Sequence, residues 1–506
     1  MLTSAGRGTH RMIADAGYGC RMSEPSRRSA PELIAALIAP GTWESWDQPV
    51  GTRDVEAGYA ASLARAAERT GEDESVVTGR GVVGGADIAI IVSEFGFLGG
   101  SIGAATGTRV IAAIRRATDE GLPVLALPAS GGTRMQEGTS AFLQMVAITG
   151  AVLDHRRAGL PYLVYLRSPT TGGVFASWGS LGHVTWAEPE ALIGFLGPRV
   201  YDGLYGRPFP DGVQTAENLR EHGLVDDVVP IPEIATTVGA MVRAMRGDQA
   251  GSVADFRPPI AQPSGGAAVS GASATPRRDV WESVDATRSA DRAGIADLLD
   301  AERTAVIRDR GPIWLTATEF GGVRTICVGH DRRAQARGEL IGPDDLRVAR
   351  RAVTLASELS LPLVTVIDTP GAELSTDAEE GGLAGEIAQC TADLVGAATP
   401  TVSVLMGQGA GGAALALFPT DRRIATDDGW LSPLPPEGAS LIVHRDLDHA
   451  AELARAQGIS AVDLAASGMV DRLVSVDGDW VRRLRAEIAE QLAGLRPSTD
   501  ARVRVP

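Results

Sequence analysis

Residues 109–132 read RVIAAIRRATDEGLPVLALPASGG, and residues 347–372 read RVARRAVTLASELSLPLVTVIDTPGA. Each is an amphipathic helical stretch, a short continuous apolar run opened by Leu-Pro, and a turn built from small residues. The order continues downstream. Residues 158–179 (AGLPYLVYLRSPTTGGVFASWG) and 396–417 (GAATPTVSVLMGQGAGGAALAL) each give a Pro-led apolar strand, a Gly-Gly step and a small-residue helix. Pro123 and Pro362 lie 239 residues apart, as do Pro161 and Pro400, and Gly172 and Gly411. Three landmarks in one register define a duplicated α/β unit. Continuous apolar strands alternating with helices indicate largely parallel sheets covered by helices.

Residues 251–278, GSVADFRPPIAQPSGGAAVSGASATPRR, separate the two copies. A stretch so rich in Pro, Gly, Ala and Ser buries little apolar area and reads as a flexible linker. The expected organisation is a disordered tail over 1–30, a first domain over 31–250, a linker over 251–280 and a second domain over 281–495. Two domains suit a chain of 506 residues. Within each, repeated ββα units fit either the crotonase-like spiral or a doubly wound sheet.

Composition narrows the chemistry. A formal net charge of −16 argues against nucleic acid or an anionic membrane as the main partner. Cys20, Cys327 and Cys390 are far apart in sequence, so neither a CxxC zinc site nor a disulfide framework is available, and a reducing cytoplasm is the expected compartment. Seven histidines include no HxH or HExxH pair, and no bound metal is expected. No apolar run is long enough to span a bilayer.

The glycine turns carry the most specific signal. In PTTGGV (Pro169–Val174) a strand ends, two glycines follow and a small-residue helix begins. Bare glycines let a ligand approach the backbone, and amides at a helix start carry partial positive charge. Such a turn can hold an oxyanion such as a thioester enolate; taken alone, it can equally be a strand-to-helix turn that merely needs glycine. GQGAGGAA (Gly407–Ala414) repeats the arrangement in the second copy. Two such turns serve a reaction with two developing anions, and carboxyl transfer from carboxybiotin to an acyl-CoA is one. A competing reading is a dinucleotide-binding turn, since Gly407, Gly409 and Gly412 fit GxGxxG and Asp428 follows 21 residues later. It ranks lower because too little chain follows to complete a second mononucleotide half. Neither a GxSxG elbow nor a P-loop is present.

Longer motifs resemble a known family. FLGGSIGAATG (Phe97–Gly107), ASGGTRMQEG (Ala129–Gly138), SPTTGGVFAS (Ser168–Ser177) and AEPEALIGFLGPRV (Ala187–Val200) resemble the β half of the acetyl-CoA/acyl-CoA carboxylase carboxyltransferases. VIDTPGAELSTDAEEGG (Val366–Gly382), GQGAGGAAL (Gly407–Leu415) and PPEG (Pro435–Gly438) resemble the α half. The order is that of single-chain actinobacterial-type β subunits. The resemblance implies two tandem crotonase-like domains, an acyl-CoA site on the first and a biotin site on the second. It implies an active site between domains of different protomers, hence a dimer or hexamer. It implies no dedicated protein base, the α-proton passing to the biotin ureido nitrogen or its departing carboxylate.

Amides of Gly172 and Gly173 would hold the enolate, and those of Gly411 and Gly412 the biotin oxygen. Gly99, Gly100, Ser130, Gly131, Gly132 and Arg134 would line the acyl-CoA side, and Gly409, Ala410 and Ala413 the biotin side. Gly409–Ala410 and Gly412–Ala413 stay open as the contacting pair. The chain lacks the four-cysteine zinc ribbon that many β halves carry. It shows no ATP-grasp pattern and no lysine flanked by methionines, so a separate biotin carboxyl carrier protein and a biotin carboxylase are expected. A malonyl-thioester decarboxylase of the same fold and a non-catalytic assembly paralogue are the other readings.

Several residues balance two roles. Arg134 reads as a phosphate or carboxylate contact or as the i+3 partner of Glu137, and Arg199 divides similarly. Asp368 is expected to orient its own turn, Glu380 to be a helix-end charge, His183 a structural histidine, and Trp178 and Trp186 core or interface.

Overall fold

The computed structural model describes residues 28–51, 55–246, 278–289 and 291–505. The expected linker therefore lies almost wholly outside the described residues, as do residues 1–27 of the expected tail and the Arg199 side chain.

The first half carries β1 (Glu44–Ser45), β2 (Val76–Val83), β3 (Ala86–Ser93), β4 (Val124–Leu127), β5 (Tyr162–Leu166), β6 (Thr170–Thr171), β7 (Val184–Ala187), β8 (Ile193–Gly194) and β9 (Asp227–Val228). The second carries β10 (Ala305–Arg308), β11 (Ile313–Phe320), β12 (Val323–His330), β13 (Leu363–Thr369), β14 (Thr401–Ala410), β15 (Arg422–Thr426), β16 (Trp430–Ser432) and β17 (Arg472–Val474). The sheets run β1-β2-β3-β4-β5-β7-β9 and β10-β11-β12-β13-β14-β15-β17. Both begin as antiparallel hairpins and continue in parallel from the third strand. The order never reverses, and a doubly wound sheet requires a reversal. The spiral alternative is the one observed.

The Leu-Pro openings have a common role. The carbonyls of Pro123, Pro161, Pro362 and Pro400 accept from the N–H of Ala89, Val124, Ile326 and Leu363, each beginning a parallel ladder. Proline can stand there because the first strand residue need only accept. The helices before them, Ala104–Asp119 and Pro343–Glu358, are 239 residues apart at both ends. The first buries Val110, Ala113, Ile114 and Ala117, one helical stripe against the sheet.

Helix Gly138–Arg157 is different: residues Ala141 to Val152 are all buried. It packs against Ala104–Asp119 of its own half and against Leu383–Val395 of the other, so one apolar cluster runs through both halves. Polar contacts also join the halves. Thr139 Oγ1 donates to the Leu431 carbonyl at 2.8 Å, and the Phe195 N–H donates to Glu379 at 2.8 and 3.0 Å.

The chain after residue 495, set outside the second domain by the sequence reading, packs into it. Arg502 is buried, pairs with Asp421 at 2.8 Å and donates to the carbonyls of Val395, Ala397 and Thr399. A buried guanidinium must be satisfied in this way. Among the described residues, no helix is long and apolar enough to cross a membrane.

Candidate active site

Three loops leave the C-terminal ends of β3, β4 and β5 and lie side by side. Gly131 N–H donates to Gly99 O (2.9 Å), Ile102 N–H to Gly132 O (2.9 Å), Ser130 N–H to Pro169 O (2.7 Å) and Thr171 N–H to Ser130 O (2.9 Å). The parallel ladder thus continues past the sheet as a ledge of bare backbone. A Cβ on Gly99 would meet nothing within 4 Å, whereas one on Gly100 would fall 2.0 Å from the Ala129 carbonyl. Gly99 and Gly131 face outward, and Gly100 and Gly132 hold the loops together. Ser130 braces the turn, its Oγ accepting from Gly132 N–H at 3.0 Å. Thr369 does the same for Gly371 in the second half, at 3.1 Å.

Gly172 has φ +63° and Gly411 has φ +67°, a conformation that glycine adopts without strain. The duplicated turns therefore match in backbone as well as in sequence. Their donors differ. The Gly172 N–H is already given to the Phe195 carbonyl at 3.0 Å, so of the pair Gly172–Gly173 only Gly173 keeps an N–H that meets no acceptor among the described residues. In the second half the turn opens helix Gly411–Ala416, whose first amides receive no side-chain cap. Ser432 Oγ, on the strand paired with Ala410, is buried without a hydrogen-bond partner among the described residues. Unmet amides and an orphan hydroxyl suit the oxygen and N–H groups of a cyclic urea such as biotin. Gly409 lies within β14, a Cβ there falling 2.6 Å from the Trp430 carbonyl. The Ala410 side chain sits in a cluster with Val280, Val284, Trp430, Ala454 and Ile459. Ala413 is fully buried.

Phe195 joins the two turns. Its carbonyl holds Gly172, and its ring lies 3.2 Å from where a Cβ on Gly412 would stand. The resemblance implies a site shared between protomers; here Phe195 touches both turns within one chain, and the helices Gly138–Arg157 and Leu383–Val395 pack on each other.

Arg134 is corrected from ligand contact to structural core. Its side chain is 0% exposed, pairs with Glu74 at 2.6 Å and donates to Ser75 and Ser101. No face remains for a phosphate, and Glu137, its expected partner, is a secondary one at 3.4 Å. Asp368 is corrected too: it accepts from Gln408 N–H on the neighbouring strand and pairs with buried Arg332 at 2.8 Å, while Thr369 orients the turn. The dinucleotide reading fails on geometry. Gly407 and Gly409 are inside β14 rather than in a turn, and Asp428 is held by Arg292 through both oxygens at 2.6 and 2.7 Å.

His183 is structural, its Nδ1 accepting from Tyr162 N–H at 3.0 Å. Trp178 and Trp186 are core, and Glu380, closing helix Thr376–Glu380, faces Asn218 and His222. Sequence reasoning missed its neighbour. Glu379 is buried, accepts from Phe195 N–H and from Gln214 Nε2 (2.6 Å), and is held above the usual carboxylate range by burial, against the pull of those hydrogen bonds. The signal was the paired acid in AEEGG; which glutamate faces inward depends on the phase of a five-residue helix.

Comparison with known proteins agrees with this architecture. Residues 27–229 match the family described as Carboxyl transferase domain, and residues 309–494 match Acetyl co-enzyme A carboxylase carboxyltransferase-like. The chain is 51% identical over 485 residues to the probable biotin-dependent acyl-coenzyme A carboxylase beta3 subunit of Mycobacterium tuberculosis, covering 93% of this chain and 95% of that one. It is 35% identical to the acetyl-coenzyme A carboxylase carboxyl transferase subunits beta/alpha of Salinispora tropica, over 89% and 82% of the two chains. Among solved structures, the transcarboxylase 12S hexamer core aligns over 93% and 90% of the chains at 19% identity, with a TM-score of 0.37. The chain belongs to the carboxyltransferase family of biotin-dependent acyl-CoA carboxylases, as an enzyme whose β-type and α-type halves are two tandem crotonase-like domains of one polypeptide.

Proposed function

We propose that this carboxyltransferase acts on a short acyl-CoA, acetyl- or propionyl-CoA, to give malonyl- or methylmalonyl-CoA. The observation that carries the reading is the meeting of the two glycine turns across Phe195. The ledge formed by Gly99, Gly131 and Gly173 receives the thioester. The Gly173 N–H donates to its oxygen as the α-carbon gains charge, and fixed backbone donors stabilise that charge without reorganising. The amides from Gly411 to Ala413 receive the ureido oxygen of carboxybiotin, which supplies the carboxyl group. Carboxybiotin held there would supply the carboxyl group as its N–CO₂ bond breaks, and its freed ureido nitrogen would take the α-proton, so that no side chain of this chain need act as base.

The biotin belongs to a separate carrier. All 47 basic residues of the sequence are arginine, so this chain has no lysine to which biotin can be amide-linked. A carrier protein and a biotin carboxylase are the proposed partners, and self-association, dimeric or hexameric, follows from the family resemblance. The transcarboxylase 12S structure is described as a hexamer.

The test runs the reaction in reverse: purified chain with malonyl-CoA or methylmalonyl-CoA and biocytin, following loss of the carboxyl group. Biocytin-dependent turnover supports the reading, and the faster substrate names the acyl group. Turnover without biocytin identifies a decarboxylase instead.

A further inference from the structure

The two glycine turns share backbone geometry, yet only one is clamped. The strand pairs Thr171–Gly194 and Ala410–Ser432 occupy equivalent registers, which makes Phe195 the counterpart of Pro433. Phe195 offers an N–H and Pro433 has none. Glu379 takes that N–H through both oxygens, at 2.8 and 3.0 Å. The Phe195 carbonyl, across the same residue, takes the N–H of Gly172, next to the free amide of Gly173. Gln214 secures the carboxylate from the other side and donates to Leu196 O at 2.8 Å.

Glu379 thus reaches from the second half and fixes the N–H side of Phe195, the residue whose carbonyl holds the first half's turn. From this geometry we infer that Glu379 is a positioning residue for acyl-CoA carboxylation, aiming the Gly173 N–H at the thioester oxygen through Phe195 and Gly172. The inference rests on the proposed role of Gly173. It assigns the second half a part in the acyl-CoA chemistry of the first, besides its own turn. The clamp needs an acceptor with both oxygens bare, because the groups that hydrogen-bond it, Phe195 N–H and Gln214 Nε2, are donors. A glutamine in its place presents an NH₂ to one of those donors and opens the clamp without changing the side-chain volume.

The test is Glu379→Gln, with Glu380→Gln as the neighbouring control, assayed in the assembled enzyme with the substrate that turns over in the wild type. A donor displaced by a fraction of an ångström lowers kcat by roughly 10- to 100-fold, while KM for the acyl-CoA stays within about twofold. Glu379→Asp keeps the charge but withdraws it by one methylene, and falls between. If Glu379→Gln does not assemble, Gln214→Leu carries the test, lowering kcat several-fold at unchanged KM. Wild-type kcat in a folded variant, or a loss of stability with kcat per folded molecule unchanged, overturns the positioning role. Those results leave the proposed carboxyl transfer standing, since that is read on the wild type alone.

Discussion

The turn at Gly172–Gly173 and the turn at Gly411–Gly412 were built from one pattern and have diverged in what stands behind them. The first gives an N–H to the Phe195 carbonyl, and the N–H of Phe195 is in turn held by a buried carboxylate from the other half. The second stands opposite Pro433, which cannot be clamped in that way, and opens onto a buried serine hydroxyl with no partner among the described residues. A tightly fixed donor suits an enolate, whose charge appears only in the transition state. A turn with polar groups left to bond suits a ligand that arrives from outside the chain. Duplication supplied the geometry, and phenylalanine against proline is one of the residues that set the two turns apart.

The largest expected effect breaks the comparison at its centre. Gly173→Val puts a branched side chain at a position where even Cβ lies 3.0 Å from Thr133 Oγ1. Valine keeps the N–H but displaces it and covers it; an oxyanion donor put out of use in this way lowers kcat by roughly 10²- to 10³-fold, with the oligomer unchanged by size-exclusion chromatography. Near-normal turnover would mean that the enolate is held elsewhere.

An effect on stability rather than on turnover separates the buried arginines from the chemistry. Arg134→Met leaves Glu74 charged and buried, and Arg332→Met does the same to Asp368. Each is expected to lose about 3–5 kcal/mol of stability, read as a lower urea midpoint. The folded fraction of Arg134→Met keeps its KM for acyl-CoA. A raised KM at an unchanged midpoint would return Arg134 to the binding site.

The smallest effect is a pH dependence with one contributor in each half. Burial pushes His155 down to about 4 and His330 down to about 3. A folded value below the unfolded one means stability that is present above the ordinary histidine range and is lost as pH falls toward the folded value. Each contributes on the order of a few kcal/mol at neutral pH. Buried Asp368 and Glu379, held above their usual range, work in the opposite direction, so the comparison is made against His155→Gln and His330→Gln. Wild type is expected to lose more stability than either variant between about pH 6.5 and 4. Parallel curves would show that the histidines are not buried in the neutral form.

The repeat, its register and both glycine turns were legible in the sequence, because proline and glycine record backbone requirements that no other residue meets as well. Pro123, Pro161, Pro362 and Pro400 mark the first rungs of the ladders, and Gly172 and Gly411 mark left-handed turns. Side-chain roles were not legible. The sequence set Arg134 beside Glu137, three residues on, and the fold brings it to Glu74, sixty residues back. GxGxxG matched a phosphate-binding pattern, and the sheet made its first two glycines part of a strand.

What the sequence determined by itself is local and periodic: where strands start, where the chain turns left-handed, and that the unit occurs twice. Only the tertiary structure decided which of two adjacent glutamates enters the site, which amide of a Gly-Gly pair remains free, and that both turns meet at Phe195. Those depend on contacts between residues far apart in the chain, made when the helix Gly138–Arg157 is buried against Leu383–Val395, and no spacing along the chain encodes them.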